Sequence, residues 1–177
     1  MKICITGFSG CGKTTLAKKL QKKFGFQLFH SDFVLSKYDL QKKKRTKLSH
    51  REYMKKVNRL NDLDSWIFEG RHILPQVLDQ ADVIIWLKPH ILKSLFWQWK
   101  RYFTDIEQRK RFTFFNNIEL SKNITFQQYL GREDSNKIDD PRHTPNEKYI
   151  RILSKYGNKV KILRTQREID QLINTIS

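Results

Sequence analysis

Cysteine is almost missing from this chain of 177 residues: Cys4 and Cys11 are the only two. One falls in an apolar stretch and the other in a glycine-containing loop, which excludes both a disulfide framework and a zinc site. No apolar run approaches the roughly 18 to 20 residues that a membrane span needs. Glycines and Lys13 interrupt residues 7–13, where a secretory signal would need an unbroken apolar core. The expectations are a cytoplasmic protein with reduced thiols and no membrane partner. Acidic residues are also scarce: 18 Asp and Glu stand against 35 Lys and Arg, a formal net charge of +17. Such an excess attracts polyanions. It is read here in three ways: as solvated surface, as capture of a ligand with several phosphates, or as weak, non-specific nucleic-acid binding. Internal repeats and low-complexity tracts are missing too.

What is present is more specific. Gly7-Phe8-Ser9-Gly10-Cys11-Gly12-Lys13-Thr14 matches the phosphate-binding pattern G-x-x-x-x-G-K-[ST]. Residues 2–6 before it are β-branched and apolar enough for a buried strand, and residues 14–20 after it read as a helix. Glycines let consecutive N–H groups aim at one anion, which the positive end of the following helix also attracts. Lys13 is expected to reach the β- and γ-phosphates, and the Thr14 hydroxyl to complete a magnesium site. Gly7, Ser9, Gly10, Cys11, Gly12, Lys13, Thr14 and Thr15 are the expected nucleotide-binding residues of this loop, with ATP and Mg2+ as cofactors.

Further strands are predicted over residues 26–30, 66–69, 82–87 and 159–163, alternating with helices. This alternation predicts an α/β protein, a three-layer α/β/α domain over residues 1–177 with a five-stranded parallel sheet. Residues 35–63 read as a helical, substrate-side insertion and residues 100–145 as a lid-like region. Ile91, Leu95, Trp99, Phe103 and Ile106 mark one face of a long helix. Residues 131–147 lose periodicity and read as a loop, and a closing helix carries Ile169, Leu172, Ile173 and Ile176.

In parallel sheets ligands collect beyond the carboxyl ends of the strands. Asp32 after the second strand and Glu69 to Arg71 after the third are therefore expected to join the phosphate loop. Asp32 reads as a base orienting an acceptor hydroxyl, as the holder of a magnesium-bound water, or as a helix cap. An acid at the end of an apolar strand, as Glu69 is, needs a partner: the metal or its waters, or a nearby cation. Arg71 has the fork suited to an acceptor phosphate, or it pairs with an acid. His30 reads as structural. Trp97 and Trp99 read as a base-stacking pair or as core.

Three segments together, residues 7–14, His30-Ser31-Asp32-Phe33 and Trp66-Ile67-Phe68-Glu69-Gly70-Arg71-His72, resemble the P-loop kinases of nucleosides and nucleoside monophosphates. The stretch from Pro141-Arg142-His143 through residues 159–169 is similar in layout to the adenylate-kinase-related topology modulation proteins. Where adenylate kinase carries Asp-Gly-Phe-Pro-Arg, this chain has Glu69-Gly70-Arg71-His72, closer to uridine-kinase-like enzymes. The resemblance implies an ATP- and magnesium-dependent kinase of a small acceptor, with a nucleoside or nucleotide expected. It implies metal-side roles for Thr14 and Glu69 and acceptor-side roles for Asp32 and Arg71. It also implies lid roles among Arg101, Arg109 and Arg111, and a place near the adenine base for Arg164 and Thr165. The competing class is a nucleotide-dependent nucleic-acid-binding protein, with a nucleic-acid 5′-end kinase between the two.

Overall fold

The computed structural model of the chain describes residues 1–8, 10–31, 34, 36–39, 44–71, 74–104, 114, 118–119, 121–122 and 146–176. Five strands form one all-parallel sheet: β1 (Lys2–Gly7), β2 (Gln27–His30), β5 (Trp66–Gly70), β6 (Val83–Leu87) and β7 (Val160–Leu163). Their order across the sheet is β2-β5-β1-β6-β7, which puts β1 at the centre. Its residues 3–7 are all buried, as are all five residues of β5, whereas the edge strands β2 and β7 are only partly covered. This gradient follows from a sheet covered on both faces, where central strands read as continuous apolar runs. The expected three-layer α/β fold with five parallel strands is the fold observed.

Helices alternate with these strands. α1 (Lys13–Phe24) buries Leu16, Ala17 and Leu20 and turns Lys18, Lys19, Lys22 and Lys23 outward. α2 (His50–Asn58) begins at a reciprocal cap in which the Ser49 hydroxyl accepts from the Glu52 N–H and the Glu52 carboxylate accepts from the Ser49 N–H. α3 (Pro75–Gln80) opens on its proline, whose missing N–H has no helical partner to lose. Tyr53 of α2 donates its hydroxyl to Gln76 Oε1 of α3 at 3.1 Å, and burial pushes that phenol above its ordinary pKa. α4 (Ile91–Thr104), α5 (Asn146–Leu153), a 3-10 segment (Ser154–Lys159) and α6 (Gln166–Thr175) complete the described elements.

The segment read as a helical insertion holds more than a helix. Ahead of α2 it contains a two-stranded antiparallel ribbon, β3 (Ser36–Asp39) with β4 (Lys44–Lys47), in the register Lys37 opposite Thr46 and Tyr38 opposite Arg45. The long helix also differs from its reading. On α4 the fully buried residues are Ser94 and Gln98, while Leu92, Phe96, Trp97 and Phe103 are exposed. The backbone of α4 passes close to Gly10 at Ser94, whose carbonyl oxygen would lie 2.8 Å from a Cβ on Gly10, and Gln98 Nε2 donates to Ser121 Oγ at 3.2 Å. Trp99 instead packs among Tyr102, Phe103 and Phe114, with ring centroids 5.8 to 6.0 Å apart.

The chain divides into two compact units. One comprises Met1–Thr6, Lys13–Trp86 and Asn158–Lys161; the other comprises Gly7–Gly12, Leu87–Gly157 and Ile162–Ser177. Because the units alternate along the sequence, no single linker separates them, and a composition-based search for a boundary has nothing to find.

Candidate functional site

In the first unit, three backbone elements end together. The parallel register sets His30, the last residue of β2, beside Glu69 of β5, and Ile5 of β1 on the other side of Glu69. Glu69 is 7 % exposed, so an ionised carboxylate there needs donors. It has two. His30 Nδ1 lies 2.6 Å from Oε1, and the Thr14 hydroxyl donates to the same Oε1 at 3.2 Å. An ionised carboxylate only accepts, so with Glu69 ionised this bond requires the tautomer that carries the proton on Nδ1.

Lys13 and Thr14 form the first turn of α1, the end of a helix that favours negative charge. Gly70 follows Glu69 and faces the buried Ser31 so closely that a Cβ would overlap the serine side chain. Arg71, half-buried, is the residue after β5. Asp32 lies outside the described residues.

In the second unit, the loop residues Gly7, Gly10 and Gly12 all have positive φ, at 149°, 77° and 92°. A Cβ on Gly7 would lie 2.6 Å from the Leu87 carbonyl oxygen, and one on Gly10 2.8 Å from that of Ser94. The loop is fastened by its apolar members: Phe8 is buried against Tyr149 of α5, ring centroids 5.0 Å apart, and Cys11 is buried too. Ser9 lies outside the described residues.

Further along the same unit, Lys88 donates its backbone N–H to the Leu163 carbonyl at 2.8 Å, next to Arg164. Burial and the Arg164 guanidinium hold the Lys88 ammonium below the ordinary lysine range. Thr165 caps α6: its hydroxyl accepts from the Glu168 N–H, and the Glu168 carboxylate accepts from the Thr165 and Arg164 N–H groups. Those backbone donors lower the Glu168 pKa.

The residues chosen from sequence thus fall into separate groups. Thr14 and Glu69 are brought together within the first unit, with Lys13 before Thr14 on α1 and Arg71 next along the chain from Gly70. Gly7, Gly10, Cys11 and Gly12 form the loop in the second, where Arg164 and Thr165 also lie. Thr15 is exposed on α1, and Arg101 is exposed on α4. Arg109 and Arg111 lie outside the described residues, as does most of the lid-like region. Sequence reasoning read His30 as structural and did not pair it with Glu69. Its only signal was position, the last residue of a strand before Ser31-Asp32, and the pairing register that puts it on Glu69 is not written in the sequence.

The oxygen pair of Thr14 and Glu69 suits a hard cation. Mg2+ is usually held by one or two protein oxygens together with waters and substrate phosphates, not by a cage of side chains. Among the described residues no group of three or more His, Cys, Asp and Glu gathers into such a cage. Nor is any helix among them long and apolar enough to cross a membrane.

No family model matches the sequence, and no curated protein matches it. Solved structures do. The chain aligns with the deoxyadenosine kinase of M. mycoides, solved with its products dCMP and a flexible dCDP, over 99 % of this chain and 98 % of that one. The TM-score is 0.52 and the identity 18 %. It aligns with the YorR protein of Bacillus subtilis in complex with phosphorylated GDP at a TM-score of 0.53 and 15 % identity, over 99 % and 93 % of the two chains. An uncharacterised protein from Eubacterium ventriosum matches at 0.51 and 13 %, over 99 % and 98 %. With the strand order above and the glycine loop between β1 and α1, this likeness identifies the α/β fold of the chain as that of the P-loop kinases.

Proposed function

We propose that the protein is an ATP- and Mg2+-dependent phosphotransferase that phosphorylates a small acceptor, a nucleoside or nucleotide. The observation that carries this reading is the Thr14–Glu69 oxygen pair at the start of α1, directly after a loop whose glycines hold positive φ. The kinase fold supports it. The deoxyadenosine kinase and the GDP complex among the structural neighbours support a nucleoside or nucleotide acceptor.

Each residue then has a task set by its chemistry. The loop N–H groups of residues 7–14 and the Lys13 ammonium bind the β- and γ-phosphates and offset charge that spreads over the γ-phosphoryl oxygens. Thr14 Oγ1 keeps a lone pair for a cation while its hydroxyl proton points to Glu69 Oε1, so the two residues would hold Mg2+ directly or through water. A cation held by Thr14 and Glu69 would offset the negative charge that the donor phosphates carry into transfer. Asp32, two residues beyond His30, takes the acceptor hydroxyl's proton as the oxygen bonds to the γ-phosphorus and the bond to the β–γ bridging oxygen breaks. ADP and a phosphorylated acceptor result. Arg71 binds an acceptor phosphate or orients the acceptor, and a basic residue of the lid-like region, Arg101 or Arg109, adds charge over the phosphates. Arg164 and Thr165 lie near the donor base.

The test is ADP formation from Mg·ATP across a panel of nucleosides, nucleotides and small hydroxyl compounds. One acceptor class should raise turnover well above the acceptor-free rate, and both EDTA and Lys13→Ala should abolish it. Asp32→Asn should lower turnover steeply while ATP affinity stays. ADP formation that no acceptor accelerates, with Lys13→Ala binding ATP as the wild type does, would sink the reading.

A further inference from the structure

Among the described residues Glu69 is held through a single oxygen. Oε1 receives both His30 Nδ1, at 2.6 Å, and the Thr14 hydroxyl, at 3.2 Å. The two contacts differ in kind. The imidazole contact is short and comes from a neighbouring strand whose register is fixed by backbone pairing from Gln27 opposite Trp66 to His30 opposite Glu69. The hydroxyl contact is longer and comes from a side chain that is itself exposed at the first turn of α1. A carboxylate anchored only by a rotatable, exposed hydroxyl can turn about its own side-chain bonds; a second, shorter contact from the neighbouring strand restricts that turning.

We propose that His30 is a positioning residue for a divalent cation at the Thr14–Glu69 pair: the imidazole fixes the Glu69 carboxylate so that the cation meets it already oriented. The inference rests on the reading of residues 7–14 as a metal–nucleotide segment. Groups that orient metal ligands in this way are worth about 10- to 100-fold in metal affinity when removed. A purely structural role for His30 is the competing account, since a carboxylate 7 % exposed needs donors in any case. The two accounts differ in what the cation feels.

The experiment uses the full chain with Mn2+ as the probe. Free Mn2+ is followed by electron paramagnetic resonance in the presence of a non-hydrolysable ATP analogue, and analogue affinity is measured separately in EDTA. His30→Phe keeps a planar ring and removes the donor; His30→Asn keeps a donor near the Nδ1 position; His30→Ala serves if the phenylalanine does not fold. Mn2+ affinity should fall about 10-fold or more in His30→Phe and His30→Ala, with the metal-free affinity unchanged, and His30→Asn should stay near wild type. Wild-type Mn2+ affinity in the donor-less variants, with only their melting temperature lowered, would assign His30 a structural role and overturn the proposal. Equal weakening in His30→Asn would overturn it as well, because ring packing and not the donor would then matter. If the wild type bound the analogue equally well with and without Mn2+, the underlying reading of residues 7–14 would itself fall, an outcome visible before any variant is made.

Discussion

Gly70, at the end of β5, and Ser31, just after β2, are packed so closely that no side chain fits between them: a Cβ on Gly70 would overlap both Oγ and Cβ of the serine. Both positions are buried. Glycine at 70 is therefore a packing requirement of neighbouring strand ends, and it keeps the backbone after Glu69 close to the residue after His30.

Gly70→Ala should destabilise the protein by about 1–3 kcal/mol, the usual range for forcing a methyl group into a packed interior. Ser31→Gly removes the obstructing atoms, so the double variant should recover much of that loss, a coupling that urea unfolding of the four proteins measures directly. Additive effects, with no recovery in the pair, would mean that the strain lies elsewhere.

The two inner glycines of the loop make a contrast. Gly12 has φ 92° with no other atom within 4 Å of a Cβ there, whereas Gly10 has φ 77° and the Ser94 carbonyl oxygen 2.8 Å from its Cβ position. Alanine at 12 meets only the backbone strain of a left-handed conformation, about 1–2 kcal/mol. At position 10 it meets that strain and a backbone oxygen that cannot turn aside. Gly10→Ala should thus lower stability more than Gly12→Ala in urea melts without nucleotide. The reverse order would contradict the Gly10–Ser94 packing.

How far such relationships could be read in advance depends on their range. The strand Trp66-Ile67-Phe68 is apolar throughout, and residues 7–14 carry their spacing locally, so both were legible, as was α1 with its buried Leu16, Ala17 and Leu20. The pairing of His30 with Glu69 was not, because register between parallel strands is set by helical crossovers dozens of residues long and by packing. The ribbon of β3 and β4 was hidden by its composition: Lys44-Arg45-Thr46-Lys47 has no apolar alternation, and charged runs carry little β signal. On α4 the apolar spacing was misleading as to burial, since the face that packs carries Ser94 and Gln98 while Leu92, Phe96, Trp97 and Phe103 are exposed. Asp32 and the lid arginines remain proposals resting on the sequence.

Cys4 gives a pH dependence of known sign. Complete burial in the central strand pushes its thiol from an ordinary value of 9.0 up to about 12. A folded-state pKa above the unfolded one means that the contribution to stability is whole below pH 9 and is lost as the pH rises toward 12, because only the unfolded chain can release the proton. The stability difference between wild type and Cys4→Ala should shift, across that window, by about 1.4 kcal/mol per pH unit against the wild type. Urea melts on either side of pH 9 measure it, and parallel curves for the two proteins would refute the assignment. In the same experiment iodoacetamide should leave native Cys4 unmodified at neutral pH, since the thiolate is the reactive form.

The net charge of +17 leads to a measurement that separates a kinase of small acceptors from a protein built to hold nucleic acid. If the excess lysines and arginines form a nucleic-acid footprint, each duplex phosphate they neutralise releases counterions, and log affinity falls by about 0.9 for each tenfold rise in salt per phosphate contacted. A kinase cleft for a small acceptor needs no such footprint, and dispersed surface charges are screened over about 8 Å at physiological ionic strength. Binding to a labelled DNA duplex or RNA should accordingly be weak, independent of sequence and largely lost near physiological salt. Mg·ATP should still bind there, because in the proposed site its phosphates would meet loop N–H groups and Lys13 at close range and not a diffuse field. Fluorescence anisotropy against salt, run beside nucleotide binding on the same preparation, gives both numbers. Tight nucleic-acid binding that survives physiological salt, in a protein that transfers phosphate to no small acceptor, would decide for the competing class.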